Sequence, residues 1–228
     1  MRYLFVAVFF SIVMSGQKTE VKPVNTELKK ELAQIYKDDQ IYRELMSPIT
    51  PERRKEIMTE KNLTQADMGA ELPKRADAQD RENLIKVEKI IKKYGYPGKS
   101  LVGEPENKAV WYVIQHSPEI EKYFPMIKKA AEEKELPFRL YAMMLDRKLM
   151  QENKEQIYGT QARSYTVTKD GKQQLVWLIW PIKDPENVNK LRQEAGIGGT
   201  VEEYAKDLTG AEYKKYTLKE ALELMKAK

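Results

Sequence analysis

Residues 137–181 read PFRLYAMMLDRKLMQENKEQIYGTQARSYTVTKDGKQQLVWLIWP and contain two patterns of regular structure. The first part, from Pro137 to Met150, is apolar on nearly every side of a helix, which predicts a central helix. The second part has strand-like segments on either side of Asp170-Gly171, a dipeptide that favours a tight hairpin turn. This stretch therefore predicts an α+β fold with one β-hairpin in the C-terminal half.

The predicted strands occupy residues 162–168 and 173–181. Six consecutive apolar residues, LVWLIW at 175–180, make the second strand apolar on both faces. A strand of this kind is normally buried on both sides. We therefore expect helices to cover it.

The rest of the chain is mainly helical in pattern. Apolar residues recur at helical spacing in three upstream segments, residues 28–46, 84–94 and 108–116. Downstream, Thr200 and Glu203 form a capping box, and Gly210 marks the end of the helix that they start. Residues 50–78 are polar with few large apolar side chains, so they predict only short helices or a mobile excursion.

The N-terminus has the layout of a cleavable secretory signal peptide. Arg2 precedes an apolar run over residues 3–14, and the small residues Ser15 and Gly16 follow. The run is shorter than the roughly 20 apolar residues that a spanning helix needs, so cleavage is favoured over anchoring. The predicted organisation is a signal peptide at 1–16, a tether at 17–24 and a single mainly helical domain at 25–228. We expect an exported protein, periplasmic or extracellular, without stable membrane insertion.

Composition narrows the functional classes. The chain has 40 basic and 35 acidic residues, a net charge of +5, and the two signs are interspersed, which is typical of a solvated surface and argues against nucleic-acid binding. It has no cysteine and one histidine. A disulfide and a multi-histidine metal site are therefore excluded, and only a carboxylate-rich site could hold a hard cation. We predict no metal and no cofactor.

Five charged or ionisable residues lie where an apolar core is expected. Asp39 lies on the apolar stripe of the first helix with Arg43 one turn later, and His116 ends an apolar helix. Asp146 and Arg147 lie in the central helix, where adjacent residues do not face each other. Because unpaired buried charges are costly, we predict that these five catalytic candidates converge on one polar cleft. The alternatives are an intrahelical ion pair, a capping histidine and a structural ion-pair network.

Six further residues are predicted to bind a substrate. They are Trp111 and Gln115 near the histidine, and Gln156, Tyr158, Thr160 and Gln161 in the loop before the hairpin. A polar loop placed by rigid neighbours, with a glycine that permits close backbone approach, is a common place for ligand groups. The alternative is a loop that only caps the central helix and begins a strand.

Several of these blocks, in this order, resemble an uncharacterised bacterial family of domains of unknown function. The blocks are Asp39-Gln40-x-x-Arg43, Gly95-Tyr96-Pro97-Gly98 with Val102-Gly103, Trp111 with Gln115-His116, Asp146-Arg147, Gln156-x-Tyr158-Gly159-Thr160-Gln161, Pro181-Ile182, and Arg192 with Gly196. The resemblance extends from Leu28 to Tyr204. It implies that the polar blocks belong together, and it brings no activity with it.

Two functions fit these residues. The first is an exported hydrolase or lyase that acts on a small molecule or a polar polymer, with His116 as general acid or base. Asp39 or Asp146 would orient the imidazole, while Arg43 and Arg147 would hold an anionic or carbonyl group. The second is a non-catalytic ligand- or peptide-binding domain that uses the same cleft.

Overall fold

The computed structural model of the protein describes residues 23–169 and 171–226. The predicted signal peptide and most of the predicted tether lie outside the described residues. The α-helices are α1 (Thr26–Leu45), α2 (Pro51–Glu60), α3 (Glu71–Tyr94), α4 (Lys99–Val102), α5 (Ala109–Gln115), α6 (Ile120–Glu132), α7 (Phe138–Gln151), α8 (Val188–Glu194), α9 (Val201–Thr209) and α10 (Leu218–Lys226). The strands are β1 (Ala162–Lys169) and β2 (Lys172–Ile179), and short 3₁₀ helices cover Gln65–Met68 and Glu106–Lys108.

The predicted fold class, mainly helical with one hairpin, is confirmed. Strands β1 and β2 pair antiparallel, with Ala162 opposite Ile179 at the open end and Lys169 opposite Lys172 at the turn. Gly171 has a φ of 73°, which an L residue with a side chain rarely adopts. The turn glycine thus supplies the backbone angle that the hairpin needs.

The prediction that helices cover the second strand is wrong for the half of the strand nearer the turn. Leu178 and Ile179 are buried against α8, α9 and α10, but Leu175 is 63% exposed and Trp177 is 41% exposed. Between them, Val176 is partly buried, so exposure alternates between the two faces over these three residues. Leu175 and Trp177 border an open cavity that Leu208 of α9 also lines, and they are not packed against it.

The main core lies where α1, α3, α5, α6 and α7 meet. Leu32 and Ile35 of α1 are fully buried there, as is Trp111 of α5, whose indole N–H donates to the Leu140 carbonyl of α7 at 2.8 Å. Burying a side chain of this size contributes about 1.5–3 kcal/mol. The core therefore fixes the three helices that carry the predicted catalytic residues.

Residues 50–78 form a second, smaller hydrophobic core with the C-terminal part of α1. Thr50 caps α2, and Pro51 occupies its first turn, where the missing N–H costs nothing. Ile57 and Leu63 pack against the C-terminal part of α1. The segment is therefore made of helices, and α3, predicted over residues 84–94, begins at Glu71.

Among the described residues, no helix combines the length and the apolar character that crossing a bilayer requires.

Candidate functional site

Most of the predicted site residues fall into two hydrogen-bonded groups. The histidine cluster consists of Asp39, Arg43, Asp80 and His116. The loop cluster consists of Asp146, Arg192 and residues 156–161. Within the described part of the chain, no hydrogen bond or ion pair joins one group to the other. The structure therefore does not bring the five predicted catalytic residues into one hydrogen-bonded network, and Asp146 lies in a different group from Asp39, Arg43 and His116.

Asp39 and His116 form the centre of the histidine cluster. His116 caps the C-terminus of α5, and its Nδ1 lies 3.0 and 3.1 Å from the two carboxylate oxygens of Asp39 on α1. The Asp39 side chain is 0% exposed, whereas that of His116 is 16% exposed. The Gln40 amide donates to the same carboxylate at 2.6 Å. The buried carboxylate thus holds an imidazole that reaches the surface.

This contact selects the tautomer of His116. An ionised carboxylate is only an acceptor, so Nδ1 must carry a proton to bind it. A neutral imidazole then has a free lone pair on Nε2, which is the form that accepts a proton in general base catalysis. The arrangement matches the carboxylate–histidine pairs that orient catalytic bases.

A small cleft of about 160 Å³ borders the imidazole. It is lined by His116 together with Asp77, Asp80, Arg81, Leu84, Ser117 and Pro118. The cleft therefore lies between α3 and the segment that follows α5. Its lining contains both signs of charge next to the histidine.

Arg43 connects Asp39 to a second carboxylate. Its guanidinium forms a bidentate ion pair with Asp80 of α3, with hydrogen bonds of 3.0 and 2.7 Å. It also donates to the Asp39 backbone carbonyl. Its Nη1 lies 3.6 Å from Asp39 Oδ1, so the predicted intrahelical pair is present but long. Sequence reasoning missed Asp80. Had the stripe of Leu84 and Val87 been extended back by one helical turn, it would have included this residue.

Asp146 forms the centre of the loop cluster and is 0% exposed. Its carboxylate accepts the backbone N–H groups of Ile157 at 2.8 Å, Tyr158 at 3.1 Å and Thr160 at 3.0 Å, and the Thr160 hydroxyl at 2.9 Å. Burial raises the pKa of Asp146, and these hydrogen bonds oppose that shift. The carboxylate is thus satisfied by the loop and not by the cation that a structural ion-pair network would provide.

Arg192 holds the same loop from the opposite side. Its guanidinium donates to the carbonyls of Tyr158 at 3.0 Å and Gly159 at 3.3 Å, and to those of Gly198 and Gly199. Burial lowers the pKa of Arg192, while the negative charge of Asp146 opposes the shift. The loop therefore lies between a buried anion that binds its N–H groups and a buried cation that binds its carbonyls.

Two glutamines and a glycine complete the loop. The Gln156 amide donates to the carbonyls of Gln161 at 2.9 Å and Trp180 at 2.6 Å, and it accepts the Gln161 N–H at 2.8 Å. Gly159 has a φ of 64°, and a Cβ there would lie 2.8 Å from Ile182 Cδ1. These contacts favour the alternative in which the loop caps the central helix and begins β1.

The three remaining predicted residues differ in how their polar groups are satisfied. Trp111 is almost fully buried and its N–H is bonded, so the ring has no open face for a ligand. Gln115 Oε1 and Arg147 Nε are buried atoms without a hydrogen-bond partner among the described residues. Burial lowers the pKa of Arg147, Tyr204 opposes this shift, and the positive charge of Arg43 adds to it. Arg147 is thus a partly buried cation with one buried donor that has no acceptor among the described residues.

The described residues contain no group of three or more Asp, Glu, His or Cys side chains placed to hold a metal ion. The catalytic and binding roles of the predicted residues stay predictions.

Neither a curated protein nor a solved structure matches this sequence. The sequence model of the family of unknown function DUF6624 matches residues 27–219. This range contains every residue of both clusters. The chain therefore belongs to the DUF6624 family, and the resemblance that the sequence blocks indicated is confirmed as one to a family of unknown function.

Proposed function

We propose that the protein is an exported hydrolase or lyase in which Asp39 and His116 carry out general acid–base catalysis on a small molecule or a polar polymer. The observation that supports this most directly is the contact between His116 Nδ1 and the buried Asp39 carboxylate. A buried carboxylate that fixes the tautomer of a histidine beside a cleft is the arrangement that general base catalysis requires.

The proposed reaction uses water or a substrate proton. In hydrolysis, Nε2 accepts a proton from water, the water oxygen attacks the electrophilic centre, and the imidazolium returns the proton to the leaving group. In elimination, Nε2 instead removes a proton from a substrate carbon, and the electron pair left behind forms a double bond as the bond to the leaving group on the adjacent carbon breaks. The imidazolium then returns the proton to the departing group. Asp39 stabilises the imidazolium in both reactions.

The surroundings of Ser117 support direct action on water or substrate. The Ser117 hydroxyl lines the cleft, but it donates to the Ile114 carbonyl at 2.9 Å and accepts the Glu119 N–H at 3.1 Å. Both hydrogen bonds lie at the end of α5, and among the described residues the hydroxyl makes no hydrogen bond with the imidazole. A covalent serine intermediate is accordingly not part of the proposal.

The catalytic proposal is tested with chromogenic substrates and four proteins. Wild type, His116→Gln, Asp39→Asn and Asp38→Asn are assayed on p-nitrophenyl esters, phosphates and glycosides, and on polygalacturonate for elimination. Asp38→Asn is the matched control because Asp38 is the neighbouring carboxylate of α1 and binds Gln34 and Lys86. We expect turnover that falls about 100-fold or more in His116→Gln and stays at the wild-type value in Asp38→Asn.

Two results would contradict the catalytic proposal. One is turnover that His116→Gln leaves unchanged. The other is turnover that Asp39→Asn and Asp38→Asn lower to the same extent. If no substrate class is converted while ligands bind at the cleft, the non-catalytic binding function is favoured instead.

The proposal of export rests on the N-terminal residues and is tested separately. We expect the mature chain to begin after Ser15 or Gly16. Intact-mass measurement of protein recovered from the native cell envelope checks this, and a mass that retains residues 1–15 would overturn it.

A further inference from the structure

The outer edge of β2 carries backbone groups that have no partner among the described residues. The Trp180 N–H donates to the Gln161 carbonyl at 2.9 Å, and this pair continues the antiparallel ladder of β1 and β2. Because the backbone groups of such a strand alternate in direction, the N–H and carbonyl groups of Leu175 and Trp177 point away from β1. Within the described part of the chain, no hydrogen bond reaches them. The edge therefore offers unpaired donors and acceptors at the spacing of a strand.

An open cavity of about 380 Å³ lies beside this edge. Five consecutive residues of β2, 175–179, line it. Their side chains alternate between the two faces of the hairpin, so a cavity that touches all five lies along the edge of the strand and not on one face. Unpaired backbone groups on an open edge are a template to which another strand can add. The cavity is therefore the place that a third strand would occupy.

The side chains along this edge are uncharged and in part apolar. Residues 173–179 read QQLVWLI. Proteins commonly protect a free edge with charged side chains or proline, and these seven residues include neither. Leu175 and Trp177 are exposed on the same face of the hairpin. A segment with apolar side chains on that face would cover both of them.

The chain itself borders the cavity opposite β2, which bears on the kind of partner. Ile179 packs against α9 and Leu178 against α10, so the two helices lie on opposite faces of the hairpin. The segment that connects them, residues 210–217, passes around the β2 edge and lines the cavity with Ala211 and Tyr216. If two copies placed their β2 edges side by side, both connecting segments would lie between the edges. A single extended segment avoids this obstruction.

We infer that the outer edge of β2 binds an extended peptide segment of a partner protein as a third strand. The segment matches residues 175–179 in length, about five residues, and carries apolar side chains on the face of Leu175 and Trp177. In this mode of recognition the main-chain hydrogen bonds supply affinity and the alternate side chains supply specificity. The site shares no lining residue with the cleft at His116, so the inference is independent of the proposed catalysis.

The test uses peptides selected on the wild-type protein. A phage-displayed library of random nonapeptides provides the probe, and the most enriched peptide is synthesised and titrated by fluorescence anisotropy. Amide hydrogen exchange, followed by NMR, then locates the binding site. We expect saturating peptide to slow exchange of the Leu175 and Trp177 amides by about 10-fold or more. The Ser164 and Thr166 amides, which lie on the outer edge of β1, should exchange as before.

Two lysine variants and two peptide analogues provide the controls. Leu175→Lys places a charge on the edge and should weaken binding by about 10-fold or more. Thr166→Lys is the matched variant, because Thr166 lies opposite Leu175 on β1, and it should bind the peptide as wild type does. N-methylation of alternate peptide residues should abolish binding in one of the two possible sets and not in the other, because only one set of N–H groups faces β2. The analogues leave the protein unchanged, so they decide even if a variant fails to fold.

The inference is overturned if the library yields no peptide that binds wild type, if protection appears at the β1 edge, or if the two lysine variants weaken binding equally. It is also overturned if both methylated sets bind. A wild-type dimer in sedimentation, with the Leu175 amide already protected, would assign the edge to a second copy instead. Binding to phosphatidylglycerol vesicles that Leu175→Lys abolishes, without any peptide binding, would assign it to a membrane surface.

Discussion

Asp39 and Asp146 are both fully buried carboxylates on helices of the main core, yet their partners differ in kind. Asp39 binds side chains, namely the His116 imidazole, the Gln40 amide and the Arg43 guanidinium. Asp146 binds backbone N–H groups of a loop and one hydroxyl. Asp39 contacts His116, which lines a cleft, whereas Asp146 is enclosed by the loop that it binds.

The difference shows that burial of a charge does not by itself indicate function. A backbone N–H cannot leave its acceptor unless the loop unfolds, and so the Asp146 contacts contribute chiefly to stability. An imidazole can gain or lose a proton without moving, so a histidine held by Asp39 can take part in proton transfer. Mutations at the two clusters should therefore affect different observables.

The largest loss of stability is expected for Asp146→Ala. Removing the carboxylate leaves three N–H groups and a hydroxyl without an acceptor, which should lower the free energy of unfolding by about 3 kcal/mol. Chemical denaturation measures this value. Thr160→Val is the control, because it keeps the carboxylate and removes only the hydroxyl, which donates to Asp146 and accepts the Gln161 side-chain amide. It should cost about 1 kcal/mol. A loss below 1 kcal/mol in Asp146→Ala would show that the loop does not depend on this residue.

The next largest effect is expected for Gly159→Ala. The new Cβ would combine an unfavourable φ of 64° with a contact of 2.8 Å to Ile182. We expect a loss of about 2 kcal/mol in the free energy of unfolding. Gly171→Ala has a similar φ but open space around it, so it should cost about 1 kcal/mol. Equal losses in the two variants would mean that packing at Gly159 is irrelevant.

Asp39→Asn should cost less stability and change the histidine more. Its partners lie near solvent and can be rehydrated, so we expect a loss of about 1 kcal/mol. The imidazole should no longer be held in the Nδ1-protonated tautomer, which nitrogen NMR reports directly because the chain has one histidine. Asp38→Asn should leave the tautomer unchanged. If the tautomer is the same in all three proteins, Asp39 does not position His116.

The smallest effect is expected for Arg43→Lys. Lysine keeps the charge but cannot make the two-pronged contact with Asp80, and both side chains are partly exposed. We expect a loss of about 0.5 kcal/mol that decreases further at high salt. A loss of several kcal/mol would indicate that the pair behaves as a buried one.

The sequence predicts the fold best where a strong local pattern agrees with the tertiary structure. The hairpin follows from Asp170-Gly171, and α9 has the predicted capping box at Thr200 and the predicted stop at Gly210. The helical content of residues 50–78 was not predictable to the same degree. Their few apolar residues gain a core only from α1, which lies earlier in the chain, and that contact leaves no periodic pattern.

The candidate site is predictable in part for similar reasons. Asp39, Arg43 and His116 are recognisable because each interrupts an apolar face, and the structure brings them together. Asp146 interrupts an apolar face in the same way, but its partners are backbone groups, which residue types do not reveal. Sequence can therefore locate a buried charge without indicating what satisfies it.

The position of Arg192 bears on the order in which the chain can complete its structure during synthesis. The N–H groups of the loop bind Asp146, which lies at most 14 positions earlier in the chain. These hydrogen bonds can therefore form as soon as the loop has been synthesised. The Tyr158 carbonyl meets Arg192 only 34 positions later. A nascent chain that ends before α8 could thus hold the loop through Asp146 and through the contact of Gln156 with Trp180, but not through Arg192. The carbonyls of Tyr158 and Gly159 would gain their cationic partner only after α8 is made.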